Sequence, residues 1–390
     1  MKLHIEELAG PEALEAITSE WELLDTQLAL RTPFTSPLWT KLWLRHCRQE
    51  RLTLRQEFFI HIARDETGEL IAVLPLMITH RPGYGPLRMR VLQFVGAADG
   101  NVTEHRCMIC RENDEVQVAQ ALADYLTIRK HKWDFFLWTG LRGKLIDPDH
   151  SPGDQLRIIR KAPYYLVDLP DSWESFRAGL SPNMKEALRK CYKHLFRDGH
   201  IFKLRVVTRP EDTSTSIERF FAMHAERAQF KSSTLHRDYF AKVEHRAFIS
   251  DLAKLMAARN QLRIFELEVD GEIVASRVGF LLGDVLYLYY SGYDLAWRKH
   301  SVMTTLISEC FKWAIESGVN VVNLSKFADP SKLRWRAREA MFYDSVMVSP
   351  TAWGRLIFAC GKIRVVPSPS YQRLRRAALL RLREIHARTP

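Results

Sequence analysis

Residues 262–280 read LRIFELEVDGEIVASRVGF, and residues 287–307 read YLYYSGYDLAWRKHSVMTTLI. The first stretch is two strands around Asp270-Gly271. Apolar runs flank a dipeptide whose positions favour positive φ, a strong short-range hairpin signal. Leu262–Val269 enters the turn and Glu272–Leu281 leaves it. Gly283-Asp284 turns the chain again, into a third strand over Val285–Ser291. Met303, Leu306, Ile307, Cys310, Phe311 and Ala314 then recur at three- and four-residue spacing, which predicts a helix over 302–317 with Gly318 as its C-cap. Val319–Leu324 reads as the last strand.

The same order occurs once before. Phe58, Ile60 and Ile62 alternate as in a strand, Asp65–Glu69 supplies a turn, and Leu70–Ile78 returns. Val91–Val95 is a third strand, a helix is expected over 114–130, and Trp133–Trp138 comes next as a buried strand. Strand–turn–strand, strand, helix, strand in both halves predicts two α/β (α+β) modules of one kind, each a mixed sheet flanked by helices. The divisions expected are 1–165, 166–350 and a C-terminal tail over 351–390. Two helices sit between the repeats. One opens at Ser181-Pro182, an N-cap followed by Pro at N1, and ends at Gly199. Its apolar stripe is Met184, Leu188, Cys191 and Leu195, opposite Lys185, Arg189, Lys193 and Arg197. The other covers about 216–228, with Ile217, Phe220, Phe221 and His224 on one face.

Composition sets the bounds. The chain has 390 residues, 46% of them hydrophobic and 26% charged, which excludes a mainly disordered chain. No apolar run approaches the roughly 18 residues that span a bilayer, and MKLHIEELAG does not read as a secretory signal. Six cysteines do not make a disulfide scaffold, so a reduced, cytoplasmic protein is expected. Cys107 and Cys110 lack a second pair with zinc spacing, and no metal is expected. Of the net charge of +11, +7 lies in residues 362–390, so the body is not a strongly basic nucleic-acid binder. In that tail Leu374, Ala377, Ala378, Leu382 and Ile385 recur at helical spacing among arginines. It reads as a basic amphipathic helix that docks on its own domain or meets an anionic membrane surface.

Taken in order, LSPNMKEALRKCYKHLFRDG (180–199), MHAERAQF (223–230), the two stretches first quoted and SKLRW (331–335) resemble the GNAT acyltransferase superfamily. More closely they resemble its CelD/BioF2-like branch, related to the FemAB peptidyltransferases. Trp21, Pro33-Phe34 and VLPLM (73–77) are similar to that family's N-terminal half. The resemblance implies tandem GNAT-like folds and transfer of an acyl or aminoacyl group to an amine.

It also implies site residues. The donor's pyrophosphate is expected at the turn into the 302–317 helix, on Arg298, Ser301, Val302, Met303 and Thr304, where helix N–H groups favour an anion. Met303 stands where the family has a small residue, and a simple N-capped core helix is the alternative. Tyr289, Tyr293 and Asp294 are the catalytic candidates, a Tyr hydroxyl serving as acid to a leaving thiolate. Regular strand parity puts Tyr289 and Tyr293 on one face. Glu266 or Glu268 could act as base. His224 and Arg227 match the family's His-x-x-Arg, and Lys332 its Lys after the last strand; all three are substrate-binding candidates. Their alternatives are a core histidine and a solvated loop lysine.

The function these readings favour is N-acyl transfer from an acyl-CoA-type thioester, bound as cosubstrate, to a small-molecule or glycan-linked amine. No tightly bound cofactor is expected. The alternatives are an aminoacyl-tRNA-dependent transferase of FemAB type, with Lys185, Arg189 and Lys193 meeting RNA phosphates, and a non-catalytic scaffold in polysaccharide or envelope biosynthesis. Apart from that tRNA, no nucleic-acid partner is expected. The expected location is cytoplasmic, with peripheral contact at the inner membrane face through the tail.

Overall fold

The structure, a computed structural model, describes residues 3–85, 87–97, 99–146, 156–230, 236–326 and 329–361. The expected amphipathic helix within 362–390 lies outside the described residues. The first half of the chain contains β1 (His4–Ala9), α1 (Pro11–Thr26), α2 (Pro37–His46), β2 (Glu50–Arg51), β3 (Leu54–Arg64), β4 (Leu70–Arg81), β5 (Met89–Phe94), β6 (Ile109–Cys110), α3 (Glu115–Ile128), β7 (Phe135–Leu141) and β8 (Leu156–Lys161). Next come β9 (Tyr164–Asp168), α4 (Trp173–Gly179), α5 (Pro182–Arg197), β10 (Phe202–Val207), α6 (Pro210–Gln229) and α7 (Val243–Ala258). The chain continues with β11 (Leu262–Val269), β12 (Glu272–Leu282), β13 (Val285–Tyr293), α8 (Val302–Glu316) and β14 (Val321–Lys326). It closes with α9 (Pro330–Leu333), β15 (Arg338–Ala340), β16 (Tyr343–Val348) and α10 (Ala352–Gly361).

Local chemistry sets these elements much as the spacing predicts. Asp270 and Gly271 take φ of 51° and 91°, the left-handed pair that a two-residue hairpin needs. Gly318 at φ 71° ends α8, with its N–H on Ile315 O and the Val319 N–H on Ala314 O. Ser181 Oγ caps α5 by accepting from Met184 N–H at 3.3 Å. α6 begins at Pro210, a turn and more before the expected start, because Pro at N1 and the acidic Glu211 and Asp212 suit a first turn.

The two sheets share one plan. Their strand orders are β1-β3-β4-β5-β7-β16-β8 and β10-β11-β12-β13-β14-β9-β15. In each, four antiparallel strands lead to a parallel pair, β5 with β7 and β13 with β14, and the connecting helix is α3 or α8. The next position is filled from the other half of the chain. β9 enters the second sheet against β14, and β16, within the 166–350 segment, enters the first sheet between β7 and β8. The chain crosses between sheets just after β8 and just after β15, and the crossings are joined by Ala162 N–H to Phe342 O at 2.8 Å.

An apolar cluster holds the sheets together. Phe34, Trp39 and Trp43 from the first half pack with Phe220, Phe248, Leu252, Tyr287 and Tyr289 from the second. The other face of the second sheet packs on α5 and α8 through Leu188, Leu195, Leu306 and Phe311. α6 lies very close to β13: a Cβ on Gly292 would sit 2.6 Å from His224 N and 2.7 Å from Met223. Glycine is required by that approach. Gly292→Ala should destabilise by about 1–3 kcal/mol, as overpacking does, and displace α6; urea unfolding measures the first effect.

Candidate active site

Between β12 and β13 the register runs Arg277↔Ser291 and then Gly279↔Leu288, so Tyr289 and Tyr290 together oppose Val278. This is a β-bulge, which bends the strand and re-aims the side chains beyond it. On the other side, β13 and β14 pair only as far as Tyr287↔Asn323. Beyond that point the strands diverge, and a cleft of about 260 Å³ opens between Tyr289–Ser291 and Ser325–Lys326. His224 and Arg227 of α6, Arg277 of β12, Lys332 of α9 and Glu104 of the first half complete its walls.

The bulge overturns the expected parity. Tyr287, Tyr289 and Tyr290 face the cluster between the sheets, whereas Tyr293 faces the α5/α8 side. Tyr293 does not line the cleft; its ring lies 5.6 Å from the Arg227 guanidinium carbon. Asp294 does not line it either, because its carboxylate accepts from Ala296 N–H at 2.8 Å and caps a short 3-10 turn. Tyr289 reaches the cleft wall, but its hydroxyl donates to the Val102 carbonyl. The Tyr290 hydroxyl donates to Asn101 O at 3.0 Å, and the Tyr287 hydroxyl donates to the Glu104 carboxylate. The tyrosine run is thus a clamp on residues 101–104 of the first half. That segment is held from behind by Trp39 Nε1–H on Thr103 Oγ1 and Trp43 Nε1–H on Asp99 Oδ2, both at 3.0 Å.

His224, Arg227 and Lys332 line the cleft together. His224 Nδ1 is 3.0 Å from the Ser291 carbonyl, which only accepts, so the proton is on Nδ1. Nε2 is then the basic nitrogen, with no hydrogen-bond partner among the described residues. Burial holds the imidazole pKa below its ordinary value, outweighing the Ser291 carbonyl and the nearby Asp238 carboxylate, which favour a second proton. Arg227 donates to Ser291 Oγ at 3.3 Å and to His236 Nε2 at 3.2 Å. Lys332 Nζ donates to Lys326 O, and Lys326 Nζ to Glu104 O, each at 2.6 Å. Burial lowers the two ammonium pKa values, to about 8 for Lys332 and about 7 for Lys326. Glu104 binds the divergence together, accepting on Oε1 from Ser325 Oγ at 3.0 Å.

The expected pyrophosphate turn lies outside this cleft. Ser301 takes φ 56°, so its hydroxyl makes no cap bond and its carbonyl accepts from Thr304 N–H at 2.8 Å instead. The Ser301 N–H is also engaged, on Arg298 O, which corrects the expectation that all four N–H groups from Ser301 to Thr304 face a ligand. Val302 is buried, Met303 packs on the α8 side of the sheet, and Arg298 is exposed over the Phe230 ring at 4.8 Å. Arg334 reaches the same helix start, donating to Thr304 Oγ1 at 3.1 Å.

Neither carboxylate proposed as base belongs to the cleft wall. Glu266 is buried between Arg205 at 3.6 Å and Arg219 at 3.7 Å, and Glu268 pairs with Lys203 at 2.9 Å. Cys107 and Cys110 are thiols whose pKa values burial pushes up, and among the described residues no His, Cys, Asp or Glu group is arranged to hold a metal. The cationic face of α5 is partly neutralised, because Arg189 donates twice to Glu186. Sequence reasoning passed over Glu104, Arg277 and Lys326. Arg277 and Lys326 carried a signal, each a charge in an apolar strand. Glu104 carried none.

Tyr289→Phe leaves the buried Val102 carbonyl without a donor and should cost about 1–3 kcal/mol of stability, measured by urea unfolding. Lys326 has a folded pKa of about 7 against 10.5 when free. Between those values the unfolded chain holds a proton that the folded chain has released, so the contribution of Lys326 to stability rises with pH. The stability of the wild type relative to Lys326→Met should therefore grow between pH 7 and pH 9.

Residues 182–332 match the Acetyltransf_6 family, described as an acetyltransferase (GNAT) domain. Among solved structures, FemX aligns with a TM-score of 0.58 at 9% identity, covering 91% of this chain and 99% of that one. The C-terminal domain of a putative lysylphosphatidylglycerol synthetase from Agrobacterium fabrum aligns at 0.49 and 11% identity, over 89% of this chain and 97% of that one. A tandem GNAT protein from the clavulanic acid biosynthesis pathway aligns at 0.45 and 11% identity, over 90% of this chain and 100% of that one. No curated protein matches the sequence. Two mixed sheets of one plan flanked by helices, with a parallel pair diverging beside a polar cleft, accord with that domain match, and residues 182–332 form a GNAT-superfamily Acetyltransf_6 domain.

Proposed function

We propose that the cleft transfers an acyl group from an acyl-CoA-type thioester to an amine. The observation that carries this reading is the tautomer of His224: Nδ1–H is fixed on the Ser291 carbonyl, which leaves Nε2 as a buried base at the cleft wall. An amine must shed a proton to attack a thioester, and Nε2 takes that proton as the N–C bond forms. The C–S bond then breaks, and the imidazolium returns the proton to the leaving thiolate. His224 thus fills the role expected of a tyrosine or glutamate. Arg227 and Lys332 supply positive charge for an anionic part of donor or acceptor. Arg298 and Arg334, with the Val302 and Met303 N–H groups at the start of α8, suit the donor's pyrophosphate. Met303 is half-buried against the sheet, which turns its side chain toward the core.

Aminoacyl transfer from tRNA would use the same cationic cleft. The pairing of Arg189 with Glu186 weakens the RNA-binding stripe on which that reading drew, so the thioester reading has the stronger support. No helix among the described residues is long and apolar enough to cross a membrane.

The test is thiol release from acetyl-CoA and longer acyl-CoA thioesters across a panel of amines. His224→Ala should lower kcat by about 10²–10⁴-fold, the range of a general base. The wild-type acid limb should fall below pH 6.5, because the base works unprotonated and burial lowers its pKa. Lys332→Ala should raise KM more than it lowers kcat. Full activity in His224→Ala, or no thiol release from any thioester, would overturn the reading.

A further inference from the structure

The first half of the chain holds a second cavity, of about 600 Å³, within the ordinary size range of small-molecule sites. It lies where β3 has no strand beside it. β1 pairs with β3 only from Phe59 to Arg64, and β2 only at Leu54 and Arg55, so Gln56–Phe58 face a gap in the sheet edge. α1 and α2 close over the gap with Leu14 and Leu44, and Phe58 forms its apolar floor. α2 separates this cavity from the active cleft: its opposite face carries Trp39, whose ring lies 6.2 Å from that of Tyr289.

The lining also carries charged side chains, Glu15, Glu50 and Glu57 among them, and among the described residues Gln56 is the one polar lining residue that is buried. Gln56 is 3% exposed, on the same strand face as Phe58. Its Oε1 accepts from the Gln49 N–H at 2.8 Å, which settles the orientation of the amide, because an NH₂ group cannot accept. Nε2 is therefore a buried donor, and it has no acceptor among the described residues. A donor left in this way costs free energy that a bound acceptor removes. The rim favours an anion. Lys41, Arg48 and Arg55 are each matched with a neighbouring glutamate, whereas Arg45 is 72% exposed and only 3.9 Å from Asp251. Asp251 is itself more closely engaged by His46, at 2.8 Å.

We propose that this cavity binds an amphipathic carboxylate, with the apolar body against Leu14, Leu44 and Phe58 and the carboxylate accepting from Gln56 Nε2 in the field of Arg45. The site is independent of the acyl-transfer reading and uses none of its residues.

Calorimetric titration of the full chain with monomeric decanoate tests it, with 1-decanol as the uncharged control. Wild type should bind decanoate saturably at one site and decanol at least tenfold more weakly. Gln56→Leu, which removes the donor and keeps the bulk, should weaken decanoate about tenfold. Leu44→Trp, which narrows the cavity where the apolar body would lie, should weaken decanoate at least tenfold, with thermal unfolding confirming that both variants fold. His224→Ala should bind decanoate like wild type. Absence of saturable binding, binding unchanged in both cavity variants, decanol binding as tight as decanoate, or loss of binding in His224→Ala would each overturn the proposal.

Discussion

β9 lies in the second sheet and β16 in the first, so each sheet is completed by a strand that the other half of the chain supplies. Other features of the molecule depend on this exchange. The two crossings, at Ala162 and Phe342, are bonded to each other, and the rings of His105, Tyr164 and Phe342 pack around them. Because the chain crosses between the sheets twice, at points bonded to each other, their relative placement is set by the backbone as well as by side-chain packing. A cleft built from both halves then keeps its shape without relying on a flexible linker.

That rigidity has a use at the divergence of β13 and β14. Parallel strands that part expose backbone groups, and buried polar groups need partners. Here residues 101–104 of the first half supply them, and three tyrosine hydroxyls hold that segment in place. The cations beside it, Arg277 and Lys326 among them, are tolerated because carbonyls and the Glu104 carboxylate meet them. Burial also moves their protonation equilibria toward neutrality, which limits the electrostatic cost. The same dry surroundings lower the pKa of the His224 imidazole.

The repeat of turns and periods was legible because it is local. Hairpins, caps and apolar stripes are written within a few residues, and β11 and α8 begin where their spacing places them. The site was legible in part. His224, Arg227 and Lys332 were picked out by the order of residues that carries the resemblance, and they line one cleft. The tyrosines were misjudged for a specific reason: one extra residue opposite Val278 inverts the parity of every later position in the strand, and nothing in YLYYSGY announces the bulge. The strand exchange was hidden for another reason. β9 and β16 have the period of any buried strand, and the pattern of apolar residues does not say which sheet will take them. Glu104 acts across more than 180 residues of sequence, on Tyr287, and no local signal reaches that far.

The exchange also sets an order of events. β16 sits between β7 and β8, yet it leaves the ribosome only after the whole second sheet has been made. Until then the first sheet is split, with an open edge on β7 and a stranded β8. Open edges recruit other chains, and contacts this distant in sequence form slowly. The first half of the protein is therefore born unfinished. The risk of wrong pairing during synthesis falls on Phe135–Leu141, the strand that waits longest for its neighbour.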